Sequence, residues 1–169
     1  MNDLHRWEYP RVAAALMEKF DTVILIVEDE PIVRNLVRAI IQHEGYSFLL
    51  AANGEEAIAL SRDYPGEIHL LLTDIKMPKM DGSELAAKIM SDRPTIRILL
   101  MSGQASDEIR KANLKLPFLR KPFMTQTLRD KLEQVFSGPA TKKPHGLIEH
   151  GPTKIGLELR NWTCLLAAA

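Results

Sequence analysis

The stretch LLTDIKMPKMDG, residues 71–82, carries the most informative pattern in this 169-residue chain. An uninterrupted apolar run ends at Asp74, and a Met-Pro step and an Asp-Gly turn follow within a few residues. Apolar residues that run continuously, without alternating with polar ones, are typical of a β-strand buried on both faces of a parallel sheet. The stretch therefore predicts a buried strand that ends in a carboxylate.

Other short apolar segments also have the character of strands. The strand before Asp74 is predicted over IHLLLT (68–73), and TVILIV (22–27) and TIRILLMS (95–102) are equally strong candidates. SFLLA (47–51) and PFLR (117–120) are weaker candidates of the same kind. None of these runs approaches the ~20 residues that a membrane-spanning helix needs.

Segments with helical spacing lie between these strands. One helix is predicted from Pro31, a residue favoured in a first helical turn, to Gly45, which ends it. Its apolar residues are expected to form one buried stripe: Ile32, Val33, Leu36, Val37, Ile40 and Ile41. Further helices are predicted to begin at NGEEAIAL (53–60), DGSELAAKIM (81–90) and TQTLRDKLEQVF (125–136), the last with Leu128, Leu132 and Val135 on one side. A less regular helix is predicted over residues 105–115.

The alternation of strands and helices between residues 21 and 136 predicts an α/β domain. We expect a flavodoxin-like (βα)5 fold, with a doubly wound, five-stranded parallel sheet in the strand order 2-1-3-4-5. Residues 1–20 are expected to form an N-terminal extension with room for one extra helix, unless translation starts at Met17 rather than Met1. Residues 137–169, rich in Gly, Pro and Lys, are expected to form a disordered tail without an output domain.

Composition narrows the function classes. Apolar residues make up 46% of the chain, enough for a core, and the formal net charge of +0 gives no reason to expect nucleic acid or a membrane as a partner. The single cysteine, Cys164, excludes an intrachain disulfide framework. We therefore expect a cytoplasmic protein.

Several predicted strands end in chemically useful side chains. Functional groups gather at the carboxyl ends of the strands in open parallel sheets, so Glu28, Asp29 and Asp74 are expected to converge. Three carboxylates repel one another and need a positive partner, for which Mg²⁺ is the best candidate. The set suits phosphoryl transfer to Asp74, with Ser102 and Lys121 stabilising the phosphoryl oxygens.

Four motifs, in this order, resemble the receiver domain of two-component response regulators: VILIVEDEP (23–31), LLTDIKMPKMDG (71–82), LLMSGQ (99–104) and FLRKPF (118–123). The resemblance covers residues 21–136. It implies a phosphoacceptor module of a phosphorelay, which takes a phosphoryl group from a histidine kinase or a histidine phosphotransfer protein with Mg²⁺. It implies no enzyme activity beyond self-catalysed phosphorylation and dephosphorylation. An unknown downstream protein would recognise the surface around residues 105–115, the fifth strand and the last helix.

The resemblance also implies roles for single residues. Asp74 matches the phosphoacceptor, Asp29 the direct metal ligand and Glu28 the acidic partner that acts mainly through water. Lys76 matches the position whose backbone carbonyl completes the metal site.

Four further residues match the family's positions around the phosphoryl group. Ser102 matches the hydroxyl residue that turns toward it, Lys121 the invariant lysine and Phe118 the aromatic switch. Pro122 matches a proline that the family often holds in the cis form. Glu28 stands where Asp is more frequent, and the segment between Ser102 and Lys121 is shorter than in many members.

Two other functions stay open at this stage. A receiver-fold interaction module could work without phosphorylation, although the acidic pair, Ser102 and Lys121 argue against a degenerate site. A phosphohydrolase with Asp74 as nucleophile is less favoured. Haloacid-dehalogenase-like enzymes have a second Asp two residues beyond the nucleophile, and Lys76 occupies that position here.

Overall fold

The structure, a computed structural model, describes residues 19–103 and 116–138. Five strands form one parallel sheet in the order β2-β1-β3-β4-β5. The strands are β1 Val23–Val27, β2 Ser47–Ala51, β3 Leu70–Asp74, β4 Arg97–Ser102 and β5 Phe118–Arg120. The helices between and after them are α1 Pro31–His43, α2 Gly54–Asp63, α3 Gly82–Asp92 and α4 Thr125–Ser137. The predicted fold class and strand order are confirmed.

Both faces of the sheet are covered, which explains why β1 and β3 are apolar throughout. Every residue of these two central strands is buried. Leu25 and Leu71 pack in a cluster with residues of α2 and α3, whereas Ile24 and Leu72 pack in a second cluster with residues of α1 and α4. Alternate residues of one strand therefore serve opposite cores, so neither set can be polar.

The packing of α1 corrects one prediction. Val37, Ile40 and Ile41 are buried as expected, but Ile32 and Leu36 are 77% and 50% exposed. Successive residues of a helix point about 100° apart around its axis, so Leu36 does not face the sheet when Val37 does. The predicted stripe was therefore wider than the helix face that contacts the sheet. Gly45, with φ +85°, ends the helix in the left-handed conformation, as expected.

Side-chain caps start the next two helices. The Asn53 side chain accepts a hydrogen bond from Glu56 N, and Glu56 Oε2 in turn accepts one from Ala52 N at 2.6 Å. Asp81 caps α3 by accepting hydrogen bonds from Ser83 N and Glu84 N, both at 2.8 Å. These caps satisfy backbone N–H groups that have no partner within a helix.

Several predictions concern segments outside the described residues. The helix over 105–115, most of the N-terminal extension 1–20 and almost all of the tail 137–169 belong to this group, although residues 19–21 are helical. The predicted domain boundaries stay predictions. Among the described residues, no helix has both the length and the apolar character needed to cross a membrane.

Candidate functional site

Three carboxylates converge where β1 and β3 end. Val27 lies opposite Thr73 in the sheet, so the residues that follow them emerge at the same edge. One carboxylate oxygen each of Glu28, Asp29 and Asp74 lies within 4.8 Å of the other two. Glu28 and Asp74 are only 1% and 8% exposed, and Asp29 is half-buried. The predicted convergence of these side chains is confirmed.

Lys121 brings a positive charge into this cluster from the end of β5. Its Nζ donates hydrogen bonds to Glu28 Oε2 at 2.6 Å and to Asp74 Oδ2 at 2.9 Å. The Lys121 backbone N donates to Ser102 O at 2.8 Å, which ties the lysine to the neighbouring strand. The peptide bond from Lys121 to Pro122 is cis, as the resemblance implied.

Burial and pairing shift the pKa values of two groups in the cluster. Burial raises the pKa of Glu28 above its ordinary value of 4.5, and the hydrogen bond from Lys121 only partly offsets this effect. Burial alone would lower the pKa of Lys121, but its hydrogen bonds to Glu28 and Asp74 raise that pKa above its ordinary value of 10.5. Lys121 is therefore charged at neutral pH and serves as a permanent cation of the site.

The orientation of the Asp74 carboxylate is set from two sides. Oδ1 accepts a hydrogen bond from Ile75 N at 2.8 Å, and Oδ2 accepts the hydrogen bond from Lys121. The N-terminus of α3 packs directly behind this residue, because Gly82 has no side chain there. A Cβ atom at position 82 would stand 2.1 Å from Asp74 O, so only glycine fits.

The other predicted site residues surround this centre. Ser102, 2% exposed, ends β4 directly after Met101, which lies opposite Asp74. Phe118 begins β5 and is 39% exposed. Lys76 lies in the β3–α3 loop with an exposed side chain, and the role of its backbone carbonyl stays a prediction.

Sequence reasoning missed one residue that contacts the acidic loop, residues 28–30 between β1 and α1. Arg34 in α1 donates from Nη1 to Glu28 O at 2.6 Å and to Asp29 O at 3.3 Å. An arginine in the second turn of a helix can reach back to the loop that precedes it. The sequence shows this spacing, but it also contains several other arginines for which the described residues show no contact to this loop.

The donor set fits a hard divalent cation. Three carboxylates meet at one point and share one lysine, so the site keeps an excess of negative charge. Oxygen ligands of this kind are those that Mg²⁺ prefers, commonly with one or two carboxylates and several waters. The residues therefore fit the predicted metal.

Comparisons with known proteins identify related chains. A family model for the response regulator receiver domain matches residues 24–133. The sensor kinase CckA of Brucella abortus is 36% identical over 119 residues, which cover 66% of this chain but only 12% of the kinase. A transcriptional regulatory protein of Mycobacterium tuberculosis, TcrX, is 30% identical over 103 residues, 59% of this chain and 43% of that protein. The chain thus spans less than half the length of these two curated relatives.

Solved structures give the same result. The chemotaxis protein CheY4 of Vibrio cholerae has a TM-score of 0.62 and 27% identity, and the match covers 68% of this chain and 98% of that one. The CheX–CheY–BeF3–Mg²⁺ complex of Borrelia burgdorferi has a TM-score of 0.61 and 30% identity, with 68% and 89% covered.

Proposed function

Because this chain belongs to the response regulator receiver domain family, we propose that it is the phosphoacceptor of a two-component phosphorelay, with Asp74 as the residue modified. Receiver domains accept phosphoryl groups, interact with histidine kinases or phosphotransfer proteins, and bind Mg²⁺ at an acidic pocket. The observation that supports the proposal best is the placement of Asp74. It is held at a buried strand end, between a charged lysine and two further carboxylates.

We assign Asp74 Oδ2 as the attacking atom, since the fixed backbone N–H of Ile75 holds Oδ1, whereas the donor to Oδ2 is the Lys121 side chain, which can turn to the phosphoryl group. In the reaction, Oδ2 forms a bond to phosphorus while the bond from phosphorus to the donor's imidazole nitrogen breaks. The departing imidazole keeps the electron pair and takes up a proton from solvent. Lys121 then donates to a phosphoryl oxygen instead of Oδ2, and the Ser102 hydroxyl donates to another.

A bound Mg²⁺ would neutralise charge that develops on the phosphoryl oxygens. Asp29 and Asp74 would hold it directly, Glu28 mainly through water, and Lys76 with its backbone carbonyl. The presence of Mg²⁺ together with BeF3 in the Borrelia complex supports Mg²⁺ as the cation. The same centre would catalyse slow hydrolysis of the acyl phosphate, which would make the modification self-limiting.

The response would pass from Ser102 to Phe118 and to the surface around residues 105–115, β5 and α4. Phe118 has no hydroxyl group and is partly exposed, so it would act by packing inward or outward. Similarity to a sensor kinase supports a histidine kinase or a phosphotransfer protein as donor. The Borrelia complex shows that a structural neighbour binds a separate protein. The downstream partner, the absence of nucleic acid and membrane partners and the cytoplasmic location stay predictions.

The test is intact-mass measurement after incubation with Mg²⁺ and acetyl phosphate. We expect a Mg²⁺-dependent phosphoryl adduct on the wild type and on Asp130→Asn, which changes an exposed carboxylate on α4, but none on Asp74→Asn. Absence of the adduct from the wild type, together with no binding of beryllofluoride in the presence of Mg²⁺, would overturn the proposal. It would favour a receiver-fold interaction module that works unphosphorylated.

A further inference from the structure

The loop between β1 and α1 carries two of the three clustered carboxylates, and it has few backbone donors of its own. Pro31 has no N–H group, and the N–H group of Glu30 makes only a long hydrogen bond, 3.4 Å, to Glu28 Oε1. The Glu28 N–H group still pairs with Ala51 O at 3.2 Å, but beyond it the chain leaves the sheet. The Glu30 carbonyl accepts the first hydrogen bond of α1, from Arg34 N at 2.9 Å, which leaves the Glu28 and Asp29 carbonyls to be paired by another donor.

Arg34 supplies that donor. The half-buried side chain returns from the second turn of α1, and Nη1 donates to the carbonyl oxygens of both Glu28 and Asp29. These two carbonyls belong to consecutive peptide groups, so one guanidinium restrains the backbone on both sides of Asp29. A rotation of either peptide group would move the carboxylate away from the position where it meets those of Glu28 and Asp74.

We propose that Arg34 is a positioning residue for cation binding: it holds the Glu28–Asp29 backbone so that both carboxylates face the metal site. It does not touch the site itself. Removal of an outer partner that orients a metal ligand commonly lowers metal affinity by a factor of about 10–100.

Charge and position predict opposite effects for the loss of this arginine. A positive charge next to two carboxylates repels a divalent cation, so its removal should strengthen Mg²⁺ binding if charge alone mattered. Loss of the two hydrogen bonds should weaken Mg²⁺ binding, because the carboxylates would no longer be held in place. The sign of the change therefore separates the two explanations.

The same helix offers a matched control. Arg38 lies one turn later, and its hydrogen bond within the described residues, at 3.4 Å, is to Gln42 Oε1 on the same helix. Arg38→Met removes the same charge from α1 without changing any contact to the acidic loop. Arg34→Lys keeps the charge but loses the planar group that reaches both carbonyls.

The experiment is a calorimetric titration of the unphosphorylated protein with Mg²⁺. We expect Arg34→Met to raise the Kd for Mg²⁺ by about tenfold or more. Arg34→Lys should also raise it, whereas Arg38→Met should change it by less than about twofold, since its charge is largely screened. A wild-type or lower Kd for Arg34→Met would overturn the proposal, as would a wild-type Kd for Arg34→Lys. If Arg34→Met does not fold, as judged by circular dichroism, Arg34→Lys alone decides.

Since this inference rests on the proposed function, a second readout separates the two. The rate of adduct formation is measured against Mg²⁺ concentration, and we expect Arg34→Met to need more Mg²⁺ for its half-maximal rate but to reach the wild-type maximum. A wild type that binds Mg²⁺ but neither forms an adduct nor binds beryllofluoride would refute the proposed function and leave the Arg34 inference to the calorimetry. Identical Mg²⁺ dependence of wild type and Arg34→Met would refute the inference and leave the function intact.

Discussion

Asp29 differs from the two carboxylates beside it in how its charge is compensated. Lys121 forms salt bridges with Glu28 and Asp74, at 2.6 Å and 2.9 Å. In the part of the chain that the structure describes, no basic side chain forms a salt bridge with Asp29. Arg34 donates to the Asp29 backbone carbonyl, but Lys121 is the lysine that the three carboxylates share, so we expect the third charge to destabilise the metal-free fold.

We predict that Asp29→Asn stabilises the metal-free protein by about 1 kcal/mol, since it removes this repulsion at almost constant volume. The stabilisation by Mg²⁺ that we expect for the wild type should be lost at the same time. Urea unfolding in EDTA and in Mg²⁺ measures both effects. Asp130→Asn, on an exposed part of α4, should change the free energy of unfolding by no more than about 0.5 kcal/mol. A variant at position 29 that is less stable than wild type in EDTA would refute the prediction.

At the scale of elements, Arg93 joins α3 to the end of α2. Directly after α3, its guanidinium donates to Ser61 O and Tyr64 O, both at 2.7 Å, and to Gly66 O at 2.8 Å. The last carbonyl groups of a helix have no partner within it, and a positive charge near them is favourable. One side chain therefore closes α2 and sets its distance from α3, the two helices that cover one face of the sheet.

We predict that Arg93→Met lowers the free energy of unfolding by about 3 kcal/mol, because three carbonyl groups, two of them in partly buried contacts, lose a charged donor together. Thermal or urea unfolding measures the change. Arg62→Met is the matched control, since Arg62 also joins α2 to α3 through Asp92, at 3.7 Å, with both side chains more than half exposed. That exposed pair should contribute no more than about 0.5 kcal/mol. Equal losses for the two variants would contradict the prediction.

At the scale of the whole molecule, Glu44 and Arg129 connect parts of the chain that are 85 residues apart. Arg129 Nε in α4 donates to Glu44 Oε1 at 2.9 Å, just beyond the end of α1. The Glu44 side chain is only 8% exposed and lies 3.9 Å from Lys19. The hydrogen bond from Arg129 lowers the pKa of Glu44 below its ordinary value of 4.5, although burial opposes the shift.

This pKa shift predicts an acid-sensitive contact. A carboxyl group with a lower pKa in the folded state stabilises the fold above pH 4.5, and this contribution is lost as the pH falls through the folded pKa. Glu44→Gln should therefore be less stable than wild type at neutral pH, and the difference should shrink below pH 4.5. Urea unfolding across this range tests it, with Glu55→Gln as an exposed control. A difference that stays constant with pH would show that the charge of Glu44 is not responsible.

Local patterns in the sequence determined the elements of this fold and the composition of its site. Continuous apolar runs marked β1, β3 and β4, because strands covered on both faces cannot alternate, and Leu128, Leu132 and Val135 marked the buried face of α4. The expected flavodoxin-type strand order placed Glu28, Asp29 and Asp74 at one edge of the sheet, and the structure confirms that order. The assigned roles of these residues stay predictions until the phosphoryl adduct is measured.

Only the tertiary structure decided which long side chains meet which partners. Lys121 pairs with Glu28, although the two residues are 93 positions apart in the sequence. Arg34 and Arg93 bind carbonyl oxygens rather than acidic side chains. Arginine and lysine reach several acceptors from one backbone position, so spacing along the chain does not select among them. The exposure of Ile32 and Leu36 has the same origin: periodicity shows that a helix has an apolar side, but the width of its contact is set by the surface it packs against.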